Sequence, residues 1–313
     1  MSKAIEVDCV SMTYSRELVL KNISFCVNKG TIHGFLGPNG AGKTTTMKLL
    51  TKVLHHQTGK IKILNQDLSR PDQFFYKKIG FLLEDPPLYP DLTVTEYLHF
   101  MAKIKRIEKG KIQKHISYCL DVLDLINVKD RLIENLSKGY KQRVGIAQAI
   151  IHMPEIVILD EPTNGLDPQS VIEIRNLILN LKKEHTVLLS SHMLHEMSLV
   201  CDDITIISEG RVLESGSLES LQEKINNTQE VIVELADHNP QFEQYLSKHQ
   251  TIRHYESMQQ DEIFRYIITP NERVELRPQM AKMAIELGAS LLRIDRKEYS
   301  LEDLFVSVTG QHD

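Results

Sequence analysis

The chain has 313 residues, of which 42% are hydrophobic and 25% are charged, as in an ordinary folded, water-soluble protein. This length predicts about two domains, each large enough for its own core. The net charge of −5 argues against bulk nucleic-acid binding, and no apolar run approaches the roughly 18 residues that cross a bilayer. The amino terminus lacks a secretory apolar segment, and the four cysteines lie far apart without a CxxC pair. We therefore expect a cytosolic protein with reduced thiols.

The first third of the chain predicts a β-rich segment. Alternating apolar and polar residues predict antiparallel strands over residues 5–10 and 18–27, and a short apolar strand follows at 31–36. Residues 59–64 continue this β-rich part. We expect an antiparallel subdomain here.

A phosphate-binding pattern follows the strand at 31–36. Residues 37–45 match G-x-x-x-x-G-K-[ST] in full, and a helix is predicted over 43–54. Glycines let the loop turn its backbone N–H groups inward, and the helix adds its positive amino terminus. Lys43 is expected to reach the β- and γ-phosphates, and the Thr44 hydroxyl to hold Mg²⁺. The alternative, a glycine-rich turn without a ligand, is disfavoured by the flanking strand and helix. The sequence predicts a nucleoside triphosphate bound by Gly37, Pro38, Asn39, Gly40, Ala41, Gly42, Lys43, Thr44 and Thr45.

The next segments predict a mostly parallel, helix-covered sheet with a helical insertion. Continuous apolar runs at 79–83, 156–159, 187–189 and 204–207 are typical of strands buried on both faces. A helix with an apolar stripe is predicted between them at 169–183. Residues from about 92 to 154 are mainly helical and begin with the capping-box pattern Thr93-x-x-Glu96, so a helical subdomain is expected there.

Two acidic residues follow the strand at 156–159. A carboxylate at the end of a buried strand is poorly solvated unless it serves a cation, so Asp160 is expected to orient Mg²⁺. Glu161 could polarise a water molecule aligned with the γ-phosphate. The alternative is a strand that simply exits into solvent, which the phosphate loop upstream disfavours.

Four further residues are ambiguous by themselves. Ser137 and Gly139 precede a helix and could face a second anion, but a serine before a helix is by itself only an N-cap. His192 follows another buried strand, where a single histidine is more often structural. Tyr14 could stack on adenine, although a single tyrosine in a β-rich segment is usually a packing residue.

After about residue 224 the pattern restarts as a second domain. Strands and helices are predicted in the order βαββαβ, which indicates a ferredoxin-like α+β domain, at residues 231–235, 240–248, 251–257, 263–268, 277–287 and 291–294. A further helix is expected from Ser300. No nucleotide motif occurs in this part, and its basic residues are expected to be solvated surface.

Together these motifs resemble the ATP-binding subunits of ABC transporters over residues 3 to about 220. The resemblance rests on the Walker A loop at 37–45, the signature at 136–140, the Walker B strand at 156–160 with Glu161, and the D-loop at 165–167. It implies that His192 senses the γ-phosphate, that Tyr14 stacks on adenine and that Asp167 links two ATP sites. It also implies that Ser137 and Gly139 face the γ-phosphate held by a partner subunit.

The chain departs from the family pattern at two places. Lys138 and Tyr140 occupy the third and fifth signature positions, usually Gly and Gln, and Glu84 stands where the Q-loop glutamine is usual. A carboxylate at Glu84 can still contact Mg²⁺ or water. These variants, with residues 87–93, resemble the type-2 exporter branch, which includes ATPases for antibiotic export and self-resistance, sodium extrusion and gliding motility. Residues 299–305 resemble the end of the accessory domain of that branch.

The expected fold is α/β: a P-loop NTPase core of the ABC ATPase type with an antiparallel β subdomain and a helical subdomain, plus a small C-terminal α+β domain. The ATP-binding domain is expected at 1–224, with the helical subdomain at about 92–154, and the accessory domain at 225–313. The resemblance implies a homodimer or heterodimer around two ATP molecules with Mg²⁺. It also implies a membrane permease as partner and a peripheral location at the inner face of the cell membrane, and it favours export.

Two other functions remain open from the sequence. One is a soluble ABC ATPase acting on ribosomes or DNA; such translation-associated relatives usually carry two ATPase cores, whereas this chain carries one and no long coiled-coil insertion. The other is a regulatory binding module without turnover, against which Glu161 and His192 argue. No nucleic-acid partner is expected.

Overall fold

The structure is a computed structural model that describes residues 2–14, 17–69, 74–226, 230–260, 263–271 and 274–297. Its contacts divide the chain into two units, Met1–Leu218 and Glu219–Asp313. The boundary expected from the sequence, between residues 224 and 225, falls a few residues further along, inside a helix.

An antiparallel sheet opens the first unit. Its strands follow the order β2-β1-β4-β5 and comprise β1 (Lys3–Tyr14), β2 (Glu17–Asn28), β4 (Thr58–Ile63) and β5 (Gln66–Asp67). Val7 of β1 lies opposite Phe25 of β2 and Ile61 of β4, and all three side chains are buried. Alternation along these strands therefore buries one face of the sheet, as the sequence pattern predicts.

The second sheet of this unit is mostly parallel. Its order is β10-β9-β3-β8-β7-β6, with β3 (Ile32–Leu36), β6 (Ile79–Leu82), β7 (Ile156–Leu159), β8 (Thr186–Ser191), β9 (Asp203–Ser208) and β10 (Arg211–Ser217). Every residue of β7 and β8 is buried, which explains the apolar runs at 156–159 and 187–189. The sequence analysis did not foresee β10, which pairs antiparallel with β9. Since β3, β7 and β8 are parallel neighbours, their carboxyl ends meet at one edge of the sheet.

Helices cover this sheet and form the insertion between β6 and β7. They are α1 (Lys43–Leu50), α2 (Phe74–Lys78), α3 (Val94–Ile104), α4 (Ile112–Val122), α5 (Lys138–Ile150), α6 (Pro168–Leu181) and α7 (Leu194–Ser198), with 3-10 turns at Lys109–Lys111, Ile126–Val128 and Ile133–Asn135. Helix α8 (Leu218–Asn226) follows β10 and begins at the boundary between the two units. The capping box at the start of α3 is present, because Thr93 Oγ1 accepts a hydrogen bond from Glu96 N and Glu96 Oε2 accepts one from Thr93 N. The capping-box prediction is confirmed.

Helix α1 ends earlier than the predicted residue 54, so that prediction is wrong. The Thr51 hydroxyl donates to the carbonyl oxygen of Met47 (2.9 Å), and Lys52 adopts a positive φ of 59°. A threonine hydroxyl competes with the helical backbone for carbonyl acceptors, and a left-handed residue cannot continue a right-handed helix. The amides of Val53 and Leu54 consequently turn back to Lys48.

The second unit has the predicted order βαββαβ. Its elements are β11 (Val231–Leu235), α9 (Pro240–Lys248), β12 (Ile252–Gln260), β13 (Ile263–Pro270), α10 (Arg277–Glu286) and β14 (Leu291–Arg296). The strands form an antiparallel sheet in the order β12-β13-β11-β14, and Phe242 of α9 and Met280 of α10 bury their side chains in its core. The predicted helix from Ser300 and the motif at 299–305 lie outside the described residues.

Candidate active site

The loop between β3 and α1 has the conformation that its glycines allow. Gly40 and Gly42 adopt positive φ angles of 82° and 106°, and Gly42 is the N-cap of α1. A side chain at Gly37 would overlap the carbonyl oxygen of Ile207 in β9. The loop therefore packs closely against the sheet and leads directly into the helix amino terminus, as an anion-binding loop does.

Lys43 turns its ammonium group back over this loop. Its Nζ donates to the carbonyl oxygens of Gly37 (2.7 Å) and Pro38 (3.2 Å) and forms an ion pair with Glu161 Oε1 at 3.1 Å. The Lys43 and Glu161 side chains are only 6% and 7% exposed. The phosphate loop is thus joined directly to the acidic residues that follow β7.

Asp160 ends β7 in a buried position with one unsatisfied oxygen. Its Oδ1 accepts a hydrogen bond from the Ser190 hydroxyl (2.6 Å), whereas Oδ2 is buried without a hydrogen-bond partner. Burial raises the pKa of Asp160; the Ser190 and Thr44 hydroxyls oppose this shift, and the negative charges of Glu161 and Glu84 add to it. A buried, unpaired carboxylate oxygen beside a hydroxyl residue fits a hard cation such as Mg²⁺.

Glu161 lies between two basic side chains. Its Oε1 contacts Lys43, and its Oε2 lies 3.0 Å from Nδ1 of His192, whose side chain is 37% exposed. Glu161 also has a positive φ of 47°, which is uncommon for a residue other than glycine and is typically found at functional sites. The backbone therefore turns sharply so that the carboxylate points along the phosphate loop.

Glu84, at the end of the segment after β6, approaches the same place. Its Oε1 accepts a hydrogen bond from the side-chain amide of Asn164 (2.7 Å), three residues after Glu161. Within the described part of the chain, no three His, Cys, Asp or Glu residues form a cluster that could hold a metal ion alone. Mg²⁺ at this site would therefore take its remaining ligands from phosphate oxygens and water, as is usual for this ion.

A cavity of about 720 Å³ opens beside the loop. This volume lies within the range typical of small-molecule sites. The residues that line it are Glu17, Leu18, Val19, Lys21, Asn39, Gly40, Gly42, Lys43, Thr44, Thr45, Glu84, Glu161, Asn164, Glu209 and Gly210. Tyr14 is not among them; its ring is 59% exposed, although its β1–β2 partner Glu17 does line the cavity.

The signature and D-loop residues lie apart from the cavity lining. Ser137 is the N-cap of α5 and accepts a hydrogen bond from Tyr140 N (3.3 Å). Asp167 is the N-cap of α6, and its carboxylate accepts hydrogen bonds from the amide and hydroxyl of Ser170 at 3.0 and 2.6 Å, which lower its pKa. Gly139 packs against Ser170, since a side chain on it would meet the Ser170 hydroxyl. Ser137 and Asp167 are exposed, Gly139 is buried against Ser170 between them, and none of the three lines the cavity of the same chain.

Comparisons with known proteins agree with this geometry. The family model described as "ABC transporter" matches residues 20–164. The bacitracin transport ATP-binding protein BcrA of Bacillus licheniformis is 36% identical over 99% of this chain and 98% of its own length. This chain belongs to the family of ABC transporter ATP-binding proteins. It is accordingly an ATP-binding subunit with ATPase activity.

Other relatives of this ABC ATPase are similar over different lengths. The linearmycin resistance ATP-binding protein LnrL of Bacillus subtilis is 29% identical over 98% of both chains. A solved dimeric ATP-binding cassette in a post-hydrolysis state, bound to ADP and Pi, is 25% identical with a TM-score of 0.62 and covers 68% of this chain and 98% of its own. The named relatives are transport or resistance proteins, which does not favour the ribosome- or DNA-associated alternative. Among the described residues of the ABC ATPase, no helix is long and apolar enough to cross a membrane.

The sequence analysis missed two side chains of the ABC ATPase site. The Ser190 hydroxyl donates a hydrogen bond to Asp160 and accepts one from the backbone N–H of Glu161, and the Asn164 side chain donates one to Glu84. Ser190 had a signal, because it lies near the end of a fully buried strand and a buried hydroxyl needs a polar partner. Asn164 had none, since loop amides are common.

Proposed function

We propose that this ABC ATPase drives an exporter by closing a dimer around two ATP molecules and acting on a separate membrane permease. The main support for this proposal is the contact between Lys43 of the phosphate loop and one carboxylate oxygen of Glu161, while His192 contacts the other oxygen. Nucleotide binding and the water-activating group are joined in one cluster, so the same chain can bind ATP and cleave it.

Within one subunit, the roles follow from the contacts. Lys43, with the loop amides and the start of α1, would bind the β- and γ-phosphates, and Tyr14 would stack on adenine. Thr44 and Asp160 would hold Mg²⁺, with Glu84 nearby; the ion, when bound, neutralises charge on the phosphate oxygens. The assignments of the phosphate loop and Glu84 rest on the lining of the cavity, and that of Asp160 rests on its unpaired oxygen. The assignment of Tyr14 rests on the family resemblance.

Glu161 is proposed as the general base of hydrolysis. Its carboxylate would take a proton from water as the water oxygen attacks the γ-phosphorus, the bond to the bridging oxygen breaks, and ADP and phosphate leave. The His192 contact would hold the carboxylate in place and sense the γ-phosphate.

The second subunit would complete each site. Ser137 and Gly139 lie at the amino terminus of α5, where free backbone N–H groups favour an anion, yet neither lines the cavity of the same chain. A head-to-tail pair of ATP-binding chains, identical or different, would bring this surface to the partner's γ-phosphate. Asp167 would then link the two sites.

The permease is proposed to contact the helical subdomain and the segment after β6. Tyr89, Phe100 and Ile104 are exposed there, and the Tyr89 and Phe100 rings meet edge to face at 5.4 Å. A cavity of about 340 Å³ lies nearby and is lined by Glu84, Asp85, Pro86, Leu88, Pro90, Ile133, Glu134, Lys138, Lys141 and Gln142. An apolar patch rimmed by polar residues suits a protein partner, and binding there would place this chain at the inner face of the membrane.

The direction of transport is proposed from relatives that match nearly the whole chain. These relatives are a bacitracin transport ATP-binding protein and a linearmycin resistance ATP-binding protein. Resistance to a compound is consistent with its export from the cell, so we propose that the permease driven by this chain is also an exporter.

Affinity capture from detergent-solubilised native membranes tests the transporter assignment. Tagged Glu161→Gln protein with ATP should retain a polytopic membrane protein, whereas Lys43→Ala, handled identically, should retain much less if capture requires bound ATP. Ribosomes or DNA-repair proteins without a membrane protein would overturn the transporter assignment. A steady-state ATPase assay on the purified wild-type chain separates an enzyme from a regulatory module.

A further inference from the structure

Ser190 lies between the two acidic residues at the end of β7. It is the β8 residue that directly follows the last β7–β8 pair, Leu159 opposite Leu189, so residue 190 reaches the level of Asp160. Its side chain is fully buried. The neighbouring strand thus supplies one hydroxyl to the site, at a position that no motif used above includes.

The hydrogen bonds of Ser190 have a fixed direction. The backbone N–H of Glu161 can only donate, so Ser190 Oγ accepts it at 2.9 Å. The hydroxyl proton is then free to point to Asp160 Oδ1 at 2.6 Å. One hydroxyl therefore holds the backbone of Glu161 and one oxygen of Asp160 at the same time.

Each of these bonds affects a different part of the site. Glu161 has a positive φ, a conformation that persists only when the surrounding structure holds it. The hydrogen bond from the Glu161 backbone N–H to Ser190 Oγ is part of that support. The bond to Asp160 Oδ1 fixes the rotation of the carboxylate and leaves Oδ2 as its unpaired oxygen.

We infer that Ser190 is a positioning residue for ATP hydrolysis: its hydroxyl orients Glu161 for water and turns the free oxygen of Asp160 toward Mg²⁺. This inference rests on the roles proposed above for Asp160 and Glu161. Ser190 does not touch the nucleotide; it acts through the two acids.

A matched control is available in the same sheet. Thr205 of β9 is also fully buried, and its hydroxyl bonds to His33 (2.8 Å) and Ser215 (2.7 Å) rather than to the acids. Thr205→Val removes a buried hydroxyl of similar surroundings without touching β7. Ser190→Thr retains the hydroxyl and tests whether the hydroxyl itself is what matters.

The experiment measures turnover and metal binding separately. Mutation of a residue that hydrogen-bonds to a metal ligand typically lowers metal affinity or activity by about 10- to 100-fold. We therefore expect Ser190→Ala to lower kcat by about 10- to 100-fold. In the presence of ADP it should also weaken Mn²⁺ binding, followed by electron paramagnetic resonance, by roughly tenfold. ADP affinity in EDTA should stay within about twofold of wild type, because the loop contacts to phosphate remain. Ser190→Thr should restore Mn²⁺ binding, and Thr205→Val should leave it unchanged.

Three results would overturn the inference. The first is that Ser190→Ala has the same kcat and the same Mn²⁺ affinity as Thr205→Val. The second is that Ser190→Thr binds Mn²⁺ as weakly as Ser190→Ala does. The third is a Ser190→Ala protein that loses ADP affinity in EDTA together with its melting temperature, which would indicate a structural role. Glu161→Gln, measured in parallel, distinguishes failure of the proposed function from failure of the Ser190 inference. Normal turnover in Glu161→Gln would contradict the proposed role of Glu161, on which the inference rests. Slow turnover in Glu161→Gln beside normal turnover in Ser190→Ala would contradict only the inference about Ser190.

Discussion

Lys43 and Glu161 form a buried ion pair, with 3.1 Å between Nζ and Oε1. Lys43 also donates a hydrogen bond to the carbonyl oxygen of Gly37, so its ammonium group is already bound to protein acceptors before it can bind the phosphates of ATP. Phosphate oxygens must therefore compete with Glu161 for Lys43. Removing one member of a buried pair leaves the other charge uncompensated, so the two residues should be tested in both directions.

Glu161→Gln should retain ATP binding and lose hydrolysis. An amide cannot take a proton from water, so turnover should fall by at least about 100-fold. Because the amide is also neutral, it competes less with phosphate for Lys43, and ATP affinity should be equal to or higher than that of wild type. Fluorescent-nucleotide titration and phosphate release measure the two effects. Glu155→Gln, just before β7 and paired with Lys29 and Lys78, is the control; near-normal turnover in Glu161→Gln would remove Glu161 from its role.

Lys43→Ala should weaken ATP binding strongly. Charge-assisted hydrogen bonds to phosphate are lost, and roughly 1.5–3 kcal/mol per bond corresponds to an affinity at least about tenfold lower. Stability should also fall, since Glu161 keeps a buried charge whose remaining ion-pair partner, among the residues that the structure describes, is His192. Lys48→Ala, in the last turn of the same helix, is the matched control. Unchanged nucleotide affinity in Lys43→Ala would contradict the phosphate-loop assignment.

The sequence predicted where the site would be assembled, but not how its side chains contact one another. The spacing of residues 37–45 and the apolar runs of β7 and β8 were sufficient, because parallel strands place their carboxyl ends at one edge. The contacts of Ser190 and Lys43 depend on strand register and side-chain rotation, which no local pattern encodes. The role for Asp167 came only from the family resemblance, and the resemblance favoured stacking for Tyr14 where the residue alone favoured packing; the structure shows a helix cap and an exposed side chain at these positions.

His33 should make the first unit less stable in mild acid. Burial lowers the pKa of His33 to about 4 from 6.5, an effect that the Asp203 charge partly opposes, and its Nδ1 has no hydrogen-bond partner. Above pH 6.5 both folded and unfolded states are neutral; between 6.5 and 4 only the unfolded state takes up the proton, so stability falls as pH falls. At pH 5 this amounts to about 2 kcal/mol.

Urea unfolding at pH 7 and pH 5 tests this dependence. His33→Gln can keep a hydrogen bond to Thr205 but cannot take up a proton, so the loss of free energy of unfolding between the two pH values should shrink by about 2 kcal/mol. The exposed His99→Gln is the control. An unchanged loss in His33→Gln would show that His33 does not cause the acid sensitivity.

Gly37→Ala should displace the phosphate loop. The added methyl group would overlap the Ile207 carbonyl oxygen, a backbone atom that cannot rotate away. Overpacking of this kind typically costs about 1–3 kcal/mol, and ATP affinity should fall with the movement of the loop. Gly110→Ala meets no atom within 4 Å and should leave affinity and melting temperature unchanged. A Gly37→Ala protein with wild-type ATP affinity would show that the loop tolerates the shift.

Asp167 has two roles to separate, the observed cap of α6 and the proposed link between ATP sites. Asp167→Ala loses the hydrogen bonds to Ser170 and should lower the melting temperature of the protein, because α6 loses its N-cap. Asp167→Asn keeps a capping oxygen and should melt close to wild type. It removes the charge and one of the two acceptor oxygens while keeping the cap, so a functional defect that it shares with Asp167→Ala belongs to the carboxylate rather than to the cap.

The dependence of ATPase rate on ATP concentration measures the proposed link. If the Asp167 carboxylate couples two sites across the dimer, both variants should show a lower Hill coefficient than wild type, although only Asp167→Ala is less stable. Asp167→Asn with wild-type cooperativity, beside a less stable and less cooperative Asp167→Ala, would instead assign the effect to the α6 cap. Asp167 would then influence the dimer only by holding the start of α6 in place, next to Gly139 and Ser170.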